Sequence, residues 1–93
     1  MHGTDEFGMT RTQRIAMADD EMAEARQIAE QWMYPAGFQN SDIAARYISR
    51  LRFAVHLYRF EGLSLIARRV ERIARTIEVP RAWADFDRLN SKP

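Results

Sequence analysis

Apolar residues recur along this chain at helical spacing, and the recurrence breaks in only a few places. Ile15, Ala18, Met22, Ala25, Ala29 and Trp32 follow alternating steps of three and four, which lays one apolar stripe along a helix predicted over about 11–33. Half of that stripe is alanine, so a neighbouring helix can approach closely. Asp20, Glu24, Gln27 and Gln31 fall on the opposite side. The segment Tyr34-Pro35-Ala36-Gly37-Phe38-Gln39-Asn40 then ends the pattern. Pro35 removes a donor and disfavours helical geometry at Tyr34, and Gly37 permits a turn. Ser41 is the expected N-cap of the next helix, with Asn40 as its competitor.

The second helix is predicted over about 42–60, with Gly62 as its stop signal. Ala44, Tyr47, Ile48, Leu51, Val55 and Tyr58 gather on one face, while Phe53, Leu57 and Phe60 gather on the other. A helix that is apolar on two faces is buried between neighbours or shared with a partner. Leu63, Ile66, Val70, Ile73 and Ile77 predict a third helix over about 63–78, with Arg68, Arg69, Arg72 and Arg75 on its outer side. Pro80 suits the first turn of a short fourth helix over about 80–89, whose Trp83, Phe86 and Leu89 face inward. Arg81, Asp85 and Arg88 are spaced to pair along its surface.

These elements predict an all-α fold: an antiparallel three-helix bundle with a short fourth C-terminal helix folded back onto it. Helix 2 is expected at its centre, and the short connections favour antiparallel neighbours. Residues 10–90 form the expected single domain, with 1–9 as a flexible leader and 91–93 as a tail. The chain has 93 residues, 46% of them hydrophobic, which suffices for one core and leaves no room for two. There is no cysteine, so neither a disulfide framework nor a thiolate metal site can form. No apolar run approaches the ~20 residues of a membrane span. The first eight residues lack the basic and apolar regions of a signal peptide, and a cytoplasmic location is expected.

Charge changes the picture more than composition does. The net charge is +1, but residues 1–33 carry seven acids against three arginines, and residues 34–93 carry eleven bases against six acids. Thirteen of the fourteen bases are arginine, which suits carboxylate and phosphate contacts better than lysine does. Arg46 and Arg50 lie one turn apart on helix 2 and add to the helix 3 cluster of Arg68, Arg69, Arg72 and Arg75. These six are the candidate contacts for an acidic partner or for phosphate, with Glu71 within reach of Arg68 and Arg75.

Catalytic chemistry finds little support. His56 has no carboxylate three or four positions away, only Arg52, Phe53, Arg59 and Phe60. Carboxylate metal sites in bundles need inward-facing Glu and a Glu-x-x-His pair, and neither occurs. Glycine-rich phosphate loops and a serine nucleophile elbow are also absent. The chain is expected to be no enzyme, to need no cofactor or metal, and to take no small-molecule substrate.

One stretch carries a resemblance. Ile73-Ala74-Arg75-Thr76-Ile77-Glu78-Val79-Pro80-Arg81-Ala82-Trp83-Ala84 resembles the helix-turn-helix pattern: an early Ala, a Val in the turn, then a second short helix. Glu78 stands where the usual turn Gly would be, and Ala84 replaces a branched apolar residue. The resemblance covers twelve to twenty residues. It implies helix 4 in the major groove with Arg81 near the bases, although Trp83 and Phe86 are needed for the core.

The function expected from these observations is that of a small non-enzymatic protein-interaction module. Its size and lack of chemistry suit an accessory or inhibitory protein of a phage or other mobile element, acting on a host protein or complex. Tyr34, Phe38, Phe53, Leu57 and Phe60 are the candidate partner contacts, because clustered aromatics either cap a bundle or form a hot spot. A homodimer is one form this takes. The alternative is a nucleic-acid backbone binder, helix-turn-helix-like or a small ribonucleoprotein subunit, using the arginines of helices 2 and 3.

Overall fold

The structure is a computed structural model that describes residues 8–34, 37–38, 40–76 and 78–91. It is an all-α helical bundle with four helices among the described residues: α1 (Arg11–Trp32), α2 (Ser41–Phe60), α3 (Ser64–Arg75) and α4 (Val79–Asn90). Two short extended pieces, β1 (Met33–Tyr34) and β2 (Gly37–Phe38), pair antiparallel between α1 and α2, with Met33 opposite Phe38 and Tyr34 opposite Gly37. So α1 stops one residue short of Met33, and the segment predicted as irregular begins as a minimal hairpin.

Local chemistry sets each helix end. Thr10 and Gln13 form a reciprocal capping box: the Gln13 amide donates to Thr10 Oγ1 (3.1 Å) and the Thr10 amide to Gln13 Oε1 (2.8 Å). Asn40, and not Ser41, caps α2, its Oδ1 accepting from the amides of Asp42 (2.8 Å) and Ile43 (3.3 Å). Ser41 is already the first helical residue. At the other end Gly62 adopts φ +77°, and the amides of Gly62 and Leu63 donate to the carbonyls of Arg59 and Tyr58. This is the Schellman arrangement, which satisfies two terminal carbonyls through a left-handed residue.

Helix α3 ends at Arg75, three residues before the predicted end. Pro80 is the cause: it has no N–H to offer the carbonyl of residue 76, and its ring would crowd that group. The chain turns out at Thr76 (ψ 147°), and Pro80 is placed in the first turn of α4, where no amide donor is needed. Ile77, assigned above to the α3 stripe, lies outside the described residues.

The core joins Ala18, Met22, Ala25 and Ala29 of α1 to Tyr47, Leu51, Ala54, Val55, Leu57 and Tyr58 of α2, then to Ala67, Val70 and Ile73 of α3 and Val79 and Trp83 of α4. Helix α2 packs against both α1 and α3, and among the described residues its interface with α1 is the larger; α4 packs on α3 and touches α1. Arg14 meets Glu61, just past the end of α2, while Asp19 meets Tyr58 and Glu21 meets Arg50. Leu57 belongs to this core, at 7% exposure, and so differs from Phe53 and Phe60, which share its face but stay exposed. Arg14 replaces Ile15 as the deeply buried residue at the start of α1, because its guanidinium is held by Glu61 and by the Met9 carbonyl.

Two tyrosines place hydroxyls inside. Trp83 Nε1 donates to Tyr47 Oη at 3.0 Å, and Tyr58 Oη donates to Asp19. Burial pushes the Tyr47 pKa from its ordinary 10 to about 12. Tyr58 is raised as well, by burial first and then by the neighbouring Asp19 carboxylate.

Two predictions follow from these contacts. Because the folded pKa of each tyrosine lies above its unfolded value, the stability they contribute is complete below pH 10 and is lost as pH rises toward 12. Urea midpoints measured from neutral pH upward should stay level and then fall above pH 10, and Tyr47→Phe should flatten part of that fall. The Gly62→Ala change meets no neighbouring atom, so its cost is purely the left-handed backbone: a loss of about 1 kcal/mol in chemical denaturation, with Gly62→Asn losing less.

Candidate docking surfaces

Helix α2 keeps a third stripe that the bundle does not close. Phe53, His56, Leu57 and Phe60 stand at steps of three and four, and Met9 before α1 with Arg14 and Met17 of α1 complete a concave apolar surface of about 350 Å³. Leu57 forms its floor, while Phe53 and Phe60 are 42% and 51% exposed at its sides. Neither α3 nor α4 contributes to the lining. The fourth helix therefore does not cover this face. The Arg14 guanidinium lies 5.2 Å from the Phe60 ring centre and is itself fixed by Glu61, so one wall is rigidly placed. Arg11 also reaches Glu61, at 3.3 Å. His56 is exposed on this surface, and no described residue hydrogen-bonds to orient it.

A second groove runs between α3 and α4. Leu65, Arg68, Arg69 and Arg72 line it from α3, and Ala82, Asp85, Phe86 and Leu89 from α4, each set at steps of three and four. Leu65 is 58% exposed. A third, wider hollow lies between α1 and α4, where Arg26 covers the Trp83 ring at 4.7 Å and is paired with Asp87.

The arginines expected to act together separate into two groups. Arg50 is engaged across the α1–α2 interface by Glu21 (2.9 Å) and Glu24 (2.7 Å), and so belongs to the frame of the bundle. Glu71 takes Arg59 and Arg75, not Arg68. Arg69 donates to Asn90 Oδ1 at 2.7 Å, a neutral partner that leaves its charge uncompensated. Among the described residues Arg46, Arg68 and Arg72 make no ion pair, and Arg46 stands apart on the exposed side of α2. On α4, Arg88 pairs with Asp85 (3.2 Å), while Arg81 turns to Glu78 (3.9 Å) instead of Asp85.

Tyr34 and Phe38 fall on β1 and β2, and their side chains lie outside the described residues. Leu65 and the Arg14–Glu61 pair were not among the residues singled out from sequence. Leu65 is an apolar residue that breaks the Leu63–Ile66–Val70 stripe, which is the signal that could have marked it. Arg14 gave none, because only Glu61, 47 positions away, makes its burial tolerable. No group of three or more His, Asp or Glu suited to a metal ion occurs among the described residues, and no helix among them is long and apolar enough to cross a membrane. No known protein family, curated protein or solved structure matches the chain.

Proposed function

We propose that this chain is a small non-enzymatic protein-interaction module that docks a protein partner on the apolar face of α2. The accessory or inhibitory role of a phage or mobile-element protein toward a host protein or complex fits that reading. The frame proposed for it is an antiparallel three-helix bundle with α4 folded back, supported by the reversed order of contacts between α1 and α2. The observation that carries the reading is Phe53: a large aromatic, 42% exposed, beside a concave apolar floor that no residue of α3 or α4 lines. Aromatic side chains at the rim of such a floor are the usual anchors of a protein interface. The competing reading, a nucleic-acid backbone binder, loses Arg50 to Glu21 and Glu24, has Arg75 shared with Glu71, and has Asp85 and Glu78 beside its remaining arginines.

A photo-crosslinking phenylalanine analogue placed at position 53 in the full chain should trap a protein in the native host, and the same analogue at Gln27 should not. Phe53→Asp should weaken capture of that protein by about 2 kcal/mol while leaving the helical circular dichroism unchanged. Unfolding of the Phe53→Asp variant would instead assign the residue to the core, and a nucleic-acid adduct would favour the competing reading.

A further inference from the structure

We propose that the groove between α3 and α4 receives an acidic amphipathic helix from a partner protein. The inference concerns a different surface from the Phe53 face and does not depend on what occupies that face.

The shape comes first. Each wall presents side chains at i, i+3, i+4 and i+7, from Leu65 to Arg72 on α3 and from Ala82 to Leu89 on α4. Arg69 meets Asn90, while Arg72 lies near Arg81, Ala82 and Asp85, so the two walls run alongside one another in reverse order. A straight channel between two helices is the natural seat of a third helix, which packs at about 8–10 Å from its neighbours. From Leu65 to Arg72 the α3 wall is ~10 Å long, room for about two helical turns.

The chemistry of the lining selects the occupant. Leu65, Phe86 and Leu89 offer apolar contact, with Leu65 more than half exposed. Alongside them lie three cations. Arg68 and Arg72 make no ion pair among the described residues, and Arg69 is oriented by the neutral Asn90 amide without losing its charge. A helix with apolar residues on one stripe and Glu or Asp flanking it satisfies both features at once, and arginine's planar fork suits carboxylates in such a setting. A phosphate backbone would use the arginines and leave the apolar floor unused.

The test uses the full chain and a labelled synthetic peptide of about 14 residues, carrying Leu at i, i+3, i+4 and i+7 with Glu on the flanks, so that its apolar stripe matches the length of the groove. Fluorescence anisotropy should show saturable binding, and the same peptide with Lys in place of Glu should not bind. Arg68→Glu with Arg72→Glu should weaken binding about a hundredfold, roughly tenfold for each reversed charge. Leu65→Gln should weaken it severalfold, and Phe53→Asp should leave it unchanged. All four positions are exposed, so circular dichroism should report intact helices throughout. Absence of saturable binding overturns the proposal. So does tighter binding of a short duplex DNA that is sensitive to the arginine reversals and indifferent to Leu65→Gln, which would give the groove to nucleic acid. Self-association in sedimentation that is abolished by the same reversals would give it to a second copy of the chain.

Discussion

The small side chains along α1 set the terms for everything packed against them. Ala18 and Ala25 are fully buried and Ala29 nearly so, with Met22 as the one long residue between them. An alanine face removes little apolar area from water on its own. It does allow a neighbouring helix to come close, so the bulk of the interface must be supplied from the other side. Helix α2 brings the large residues Tyr47, Leu51, Val55 and Tyr58 into the shared core. The match of small on one helix to large on the other explains why this interface is the most extensive among the described residues and why α2 is the central element.

Close approach also brings polar groups within reach across the seam. Arg50 spans to Glu21 and Glu24, Tyr58 to Asp19, and Arg14 to Glu61. Arg50 thereby takes two acids of the acidic first third, while the Arg14–Glu61 pair runs in the opposite sense. The Arg14–Glu61 pair is the most enclosed of these. Desolvating two charges costs about as much as their attraction returns, so such a pair adds little net stability. Losing one member would strand the other, however, which makes the pair a strong selector of how the start of α1 meets the end of α2. Its closure is complete in the sense that no described buried side-chain nitrogen or oxygen lacks a partner.

Much of this frame is legible in the sequence, and the parts that are not share one cause. Ala18, Met22, Ala25, Ala29, Tyr47, Leu51, Val55, Tyr58, Val70 and Ile73 were readable from spacing, because each sits near the middle of a wide apolar stripe. Gly62 and Pro80 were readable because their constraint is in the backbone itself. The misread positions lie at stripe edges or helix ends, where a distant residue or a single hydrogen bond decides. Ile15 and Arg14 are one position apart, and Glu61 makes the arginine the deeper of the two. Asn40 and Ser41 are equally good caps, and the helix begins at Ser41 because the Asn40 carboxamide reaches two amides. Leu57 lies between the Tyr58 face and the Phe53 face, and only the packed structure shows that it turns inward. The docking surfaces were half legible: the arginine stripe was visible, but not which of its members the bundle had already engaged.

Why the bundle leaves Phe53 exposed follows from where α4 is pinned. Trp83 is drawn to the start of α2 by its hydrogen bond to Tyr47, and Arg26 covers its ring while holding Asp87. These three contacts fix α4 beside the C-terminal half of α1, at the opposite end of α2 from Phe53 and Phe60. Helix α4 is twelve residues long, about 18 Å, and so cannot serve both ends. Helix α3 is engaged on another side of α2 through Ala67, Val70 and Ile73. With α1 and α3 on two sides of α2 and α4 held at its far end, the stripe through Phe53 has no remaining helix to meet it. The exposure is thus a consequence of how the tryptophan of α4 is satisfied. No further helix among the described residues meets that face.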